Sequence, residues 1–245
     1  MNLFIKGVLM YKYAEKHPIL FEIILIIVSF LLAGIGVLVG SIFDLDPDLS
    51  TSLARIAVAI ILLLVFHKAF KDCRLFGRLL YLLPILLIPV WNLYYNLSSG
   101  TSFATPDIIL KAVITALAPA LFEEVLFRGI FIYNLRKNDY KDSGAMLMSA
   151  IVFALIHLTN IVGGNVLGTL IQTVYSFVIG LVLAALYLKN GSLFEIILIH
   201  FLIDLTNRIY IQEATSASNL QLVIFAILLV VETVYAFCLV PKDKQ

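Results

Sequence analysis

The sequence predicts an all-α polytopic membrane protein, a bundle of about eight transmembrane helices with both termini cytoplasmic. Composition is the first observation behind this. Of 245 residues, 62% are hydrophobic and 13% charged, and the mean hydropathy of +1.04 lies far above a soluble average. The second is segment length. About 20 apolar residues cross a ~30 Å hydrocarbon core, and eight stretches qualify or nearly so: 19–40, 52–66, 79–97, 108–134, 144–162, 166–188, 192–211 and 220–240. The third is charge. Numbered through alternating connections, thirteen Lys and Arg residues fall on one side and only Arg55, Lys111 and Arg208 on the other, with Arg128 inside a span. Such asymmetry marks the basic side as cytoplasmic and turns the loop from Asp44 to Asp48 outward.

Each span follows from its own residues. The run from about Ile19 to Gly40 follows Lys6, Lys12 and Lys16 but exceeds a signal-peptide core, so it is expected to be retained as the first span. The second is short and is expected to extend toward His67. Polar and glycine-rich breaks at 44–48, 98–102, 137–139, 163–165 and 190–192 separate most of the others. With no repeat and no low-complexity linker, residues 1–245 read as a single transmembrane domain with a core at about 108–207. A formal net charge of +1 gives no reason to expect nucleic acid as a partner. The two cysteines, Cys73 and Cys238, are too few for a disulfide scaffold and are expected to be free thiols.

Ionisable residues inside such spans are costly, roughly 2.5–3.5 kcal/mol on insertion scales, and mark functional sites. Three short patterns hold most of them: Glu123-Glu124-x-x-x-Arg128, Phe153-x-x-x-His157 and His200-x-x-x-Asp204. At ~1.5 Å per residue, Glu123, His157 and His200 lie roughly 16, 20 and 12 Å from the inner ends of their spans. Three distant segments therefore reach a similar depth. Adjacent helical residues point about 100° apart, so Glu123 and Glu124 are not expected to face one site. Glu124 pairs with Arg128 at i,i+4 spacing, leaving Glu123 free to act as a general base. Asp204, one turn from His200, either fixes the tautomer of the imidazole or joins it in presenting donors to a developing negative charge.

Other polar residues have milder readings. Glu22 and Glu195 are expected to reach the interface from helix ends, and Glu232 to bond a polar group on a neighbouring helix. Asn160, Gln172 and Asn207 suit interhelical hydrogen bonds. Trp91, Tyr94 and Tyr95 suit interfacial anchors.

The three patterns, in this order and each on its own helix, resemble the CPBP intramembrane proteases. These are the CAAX-protease and bacteriocin-processing (Abi) family, related to Rce1-type prenyl-protein endopeptidases. The resemblance covers about 108–207. It implies a peptide-bond hydrolase in which Glu123 activates water, His157 helps hold it, and His200 and Asp204 stabilise the oxyanion. Glu124, Arg128 and Phe153 would support these groups. The third motif ends in Asp204 where prenyl-protease relatives commonly carry Asn, which fits the bacterial Abi-like branch better.

The expected substrate is a hydrophobic or lipid-anchored peptide, hydrolysed in a plasma membrane, with the active site opening toward the cytoplasmic side. No cofactor is required on this reading. Its zinc-dependent alternative would use Glu123, His157 and His200 as ligands. A non-catalytic alternative is a bacteriocin-immunity or other binding protein. Transport is the remaining class, although the polar groups are confined to the second half rather than spread over two related halves.

Overall fold

The computed structural model describes residues 13–14, 16–211 and 218–240; Lys6, Lys12, Lys242 and Lys244 lie outside them. The described chain is all-helical, and six helical segments among the described residues are long and apolar enough to cross a membrane. Helix α1 spans Pro18–Ile42 and α2 Pro47–Val65. Helices α3 (Leu87–Ser98) and α4 (Pro106–Glu123) follow. Beyond them come α5 (Asp142–Ile156), α6 (Val166–Asn190), α7 (Leu193–Leu205) and α8 (Asn219–Leu239). The two predicted spans outside the six are those of α4 and α7. Helix α4 carries Asp107, Lys111 and Glu123 within 18 residues, and α7 has only 13 residues. Both are in the interior of the bundle and hold site residues.

Local chemistry sets the boundaries and corrects several expectations. Helix α2 begins at Pro47 rather than 52, because Asp46 caps it by accepting from the amides of Asp48 and Leu49. It stops at Val65, and His67–Phe70 forms a separate turn. The predicted third span divides into a 3-10 turn at Leu79–Leu82 and α3; Pro84 lies between them and cannot donate to a continuous helix. The predicted fifth span is α-helical only to Ile156 and continues as a 3-10 segment, His157–Gly163. His157 thus sits at a helix terminus rather than mid-helix. Helix α7 likewise ends at Leu205, six residues before the expected limit of its span.

Helix α4 is central: α2 and α7 pack on it, while α1 lies on α2, and α6 contacts both α5 and α8. The α5–α6 approach depends on Gly180, where an added Cβ would stand 3.1 Å from Ala150 Cα and 3.2 Å from Phe153. The core runs through Phe122, Leu126, Phe127, Phe131, Phe153 and Leu183, all buried. Large aliphatic side chains on α1 and α8, such as Leu31, Leu38, Leu220 and Val230, face outward, as lipid-facing helices require.

Backbone bonds between connections define two ends of the bundle. At one end, Ala104 donates to Ile209 O and Ile211 to Ser102 O, joining 101–105 to 209–211. Lys111 holds Asp46 and Asp48 at 2.9 and 3.0 Å, bringing in the α1–α2 loop. The lysine keeps the Asp46 carboxyl below the usual carboxylate range. At the other end, Arg74 N donates to Gly191 O, and Ser192 Oγ to Leu75 O. Glu195 there is buried, not interfacial as expected, and accepts from Gly77 N and Asn190 Nδ2 at 2.7 and 2.8 Å. Glu22 and Glu232 are also fully buried, and neither has a hydrogen-bond partner among the described residues, so the expected neighbour for Glu232 is not found there. Both cysteines are free thiols, with Cys73 Sγ 3.5 Å from Tyr187 Oη.

Candidate active site

The first site motif lies where α4 changes its winding. After Glu123 the helix continues as a π-helical stretch, Glu124–Phe131, and then as Ile132–Lys137. π-Helical turns are rare and recur at functional sites. Every residue of this stretch is buried. Gly129 leaves room for the Phe70 ring, which a Cβ would strike.

Glu124 and Arg128 form an ion pair at 2.8 Å, both with fully buried side chains. The guanidinium also donates to Gly180 O at 3.2 Å and lies 4.4 Å above the Phe153 ring. The same oxygen of Glu124 receives His200 Nδ1 at 2.7 Å. A chain Arg128–Glu124–His200 thus links α4 to α7. It corrects the expectation that the adjacent glutamates serve different sites, because the imidazole stands between them. Nδ1 goes to Glu124, while Nε2 lies 3.9 Å from Glu123 Oε2 and 3.9 Å from Asp204 Oδ1. The orienting partner of His200 is therefore Glu124, 76 residues away, and not Asp204.

His157 Nδ1 is 2.8 Å from Phe153 O. A carbonyl only accepts, so Nδ1 carries the proton and a neutral ring presents the Nε2 lone pair. The Phe153 ring meets both imidazoles edge-on, at 4.9 Å for His157 and 6.1 Å for His200. One aromatic side chain thus spaces both histidines and supports Arg128.

Glu123, His157, His200 and Asp204 all line one cavity of about 280 Å³. A second, of similar volume, shares both histidines and Asp204 with it and adds Phe153, Tyr175 and Ile179. Glu123 and His200 are only 7% and 6% exposed, so they form a buried floor. The rim is formed by Thr159, Asn160, Gln172 and Arg208, all exposed. These lie at the end of the bundle that carries Lys111 and Asp46. The rim therefore stands at the end of the bundle opposite the Lys/Arg-rich connections, where α5 and α7 stop at Ile156 and Leu205 and leave a gap.

Sequence reasoning missed Arg55, Tyr175 and Arg208 as wall residues. Arg208 Nη2 stands 3.9 Å from Asp204 Oδ2. The signal for both arginines was available: each is a cation in or beside a span on the poorly charged side. Asn160 and Gln172 do bond each other, at 2.9 Å, but on the cavity rim. Trp91 stacks on Tyr95 and on Phe225 of α8. With Tyr175 these rings line an aromatic cavity of about 260 Å³. Among the described residues, no group of three or more His, Cys, Asp or Glu side chains is arranged to hold a metal ion.

No match was found among curated proteins or among solved structures. Residues 105–206 match the family model described as type II CAAX prenyl endopeptidase Rce1-like. The matched stretch contains all seven motif residues, from Glu123 to Asp204, and over these 102 of its 245 residues the chain is similar to the Rce1-like family.

Proposed function

We propose that the protein is a metal-independent intramembrane endopeptidase. The observation that carries this reading is the convergence of Glu123, His157, His200 and Asp204 on one cavity inside an apolar bundle. Glu123 takes a proton from a water molecule, whose second hydrogen is accepted by His157 Nε2, and the hydroxide attacks the peptide carbonyl carbon. The carbonyl oxygen becomes the oxyanion beside Asp204 and His200, whose Nε2 donates to it with the ring in its doubly protonated form, the other proton being held at Nδ1 by Glu124. The proton held by Glu123 passes to the amide nitrogen as the C–N bond breaks. A hydrophobic peptide is the substrate class, because the aromatic cavity shares Tyr175 and Asn207 with the second cavity, which both histidines and Asp204 also line.

With Glu124 orienting His200, Asp204 is assigned to the oxyanion as a donor, which a carboxyl is only while it carries its proton. Asp204→Ala should then lower kcat by about 10²–10³, whereas Asp204→Asn should retain activity because an amide always donates. A collapse of kcat in Asp204→Asn would instead show that a negative charge is needed beside Nε2.

The direct test uses purified protein in lipid vesicles with an apolar reporter peptide. Hydrolysis that persists in excess chelator is expected. Loss of activity on chelation, restored by zinc, would overturn the metal-independent mechanism. Tight peptide binding without any cleavage would leave a binding protein in place of a protease.

A further inference from the structure

We propose that the catalytic cavity opens on the extracytoplasmic side of the membrane, and that the substrate is an exported peptide or an extracytoplasmic segment of a membrane protein. The substrate clause rests on the hydrolase reading; the sidedness does not.

The argument joins the position of the rim to the placement of charge. Four connections meet at the rim end: 43–46, 99–105, 157–165 and 206–211. Among their described residues the only Lys or Arg is Arg208, which faces Asp204. The other two cations in this half of the bundle are similarly engaged. Lys111 is clamped between Asp46 and Asp48, and Arg55 lines the cavity.

The opposite end carries nine described cations. Lys68, Lys71, Arg74 and Arg78 lie in one connection, Arg136, Lys137 and Lys141 around the next, and Lys16 and Lys189 at the ends of α1 and α6. Nine against three, with the three held by acids or in the cavity wall, is the asymmetry that retains the basic end in the cytoplasm. The structure shows that α5, α7 and the 3-10 segment after α5 all finish at the other end, so the cavity mouth lies there.

Substrate class follows from this geometry. A prenylated CAAX chain is held at the cytoplasmic leaflet by its own lipid and has no route to a mouth on the far side. A chain that has crossed the membrane, or is anchored from outside, reaches it directly. The neighbouring aromatic cavity, between Trp91 on α3 and Phe225 on α8, then receives an apolar side chain of that peptide.

The test is cysteine labelling with a membrane-impermeant maleimide in intact bacterial cells, in a background lacking Cys73 and Cys238. Val162→Cys, at a 90% exposed position after His157, and Ser99→Cys report on the rim end. Lys71→Cys reports on the basic end. None of the three lies in the catalytic set, and two rim reporters guard against one failing to fold. Labelling of Val162→Cys and Ser99→Cys in intact cells, with Lys71→Cys labelled only after permeabilisation, is the expected pattern. The reverse pattern would overturn the proposal. Because labelling needs no turnover, an inactive protein with the expected pattern would refute the hydrolase reading and leave the sidedness standing. A reporter peptide tethered on either face completes the test: cleavage only on the cytoplasmic face would overturn the assigned substrate class.

Discussion

Arg128→Ala is expected to destabilise the folded protein by about 3–5 kcal/mol, the usual cost of removing one member of a buried ion pair. The guanidinium is fully buried and serves three structures at once. It neutralises Glu124 at 2.8 Å, donates to Gly180 O where α6 packs tightly on Ala150 of α5, and covers the face of Phe153. Without it the Glu124 carboxylate keeps only His200 Nδ1 as a partner, and its other oxygen already has none among the described residues. Arg128→Lys should recover only part of the loss, since one ammonium cannot reproduce the planar fork that reaches two acceptors and stacks on a ring. A double change of Glu124→Gln with Arg128→Met should cost less than the sum of the single changes, because neither group is then left as an unpaired charge. Unfolding in detergent, followed by temperature or denaturant, measures each term. Full stability of Arg128→Ala would remove the ion pair from the framework of the site.

The framework was readable in the sequence where the physics is local. Apolar length placed helices at α1, α6 and α8 close to their observed limits, and i,i+4 spacing paired Glu124 with Arg128. Helix interruptions were less legible. Pro84 separates Leu79–Leu82 from α3, yet the surrounding leucines keep the hydropathy high across the break. The π-helical stretch has no period in eight residues that distinguishes it from an α-helix. The Glu124–His200 bond joins residues 76 apart, and nothing local marks a partner at that distance, so the nearer Asp204 took its place. Glu195 was misread for a similar reason: its acceptors are used by Gly77 N and Asn190, which only the packed connections bring together. The position of the cavity mouth depends on where α5 and α7 end, and hydropathy runs past both ends.

Glu123→Gln should abolish hydrolysis while leaving the fold intact, and this contrast separates the two adjacent glutamates. The amide is nearly isosteric with the carboxylate but cannot take a proton from water, and general-base catalysis contributes typically 10²–10⁴ in rate. Glu123 makes no hydrogen bond among the described residues; His200 Nε2 stands 3.9 Å from its Oε2, in the cavity that both groups line. Replacing it therefore breaks no buried pair, and the melting temperature should not move. Glu124→Gln is expected to behave oppositely in stability, because that carboxylate neutralises a fully buried arginine and receives His200 Nδ1 through one oxygen. It should also lower kcat, through an imidazole that loses the carboxylate holding its orientation and its second proton, so activity alone would not tell the two variants apart. Stability and turnover measured together would. A Glu123→Gln enzyme with near-normal kcat would move the base elsewhere in the cavity, with Asp204 the remaining carboxylate in its wall. A Glu123→Gln protein that melts far below the wild type would place Glu123 in the framework instead.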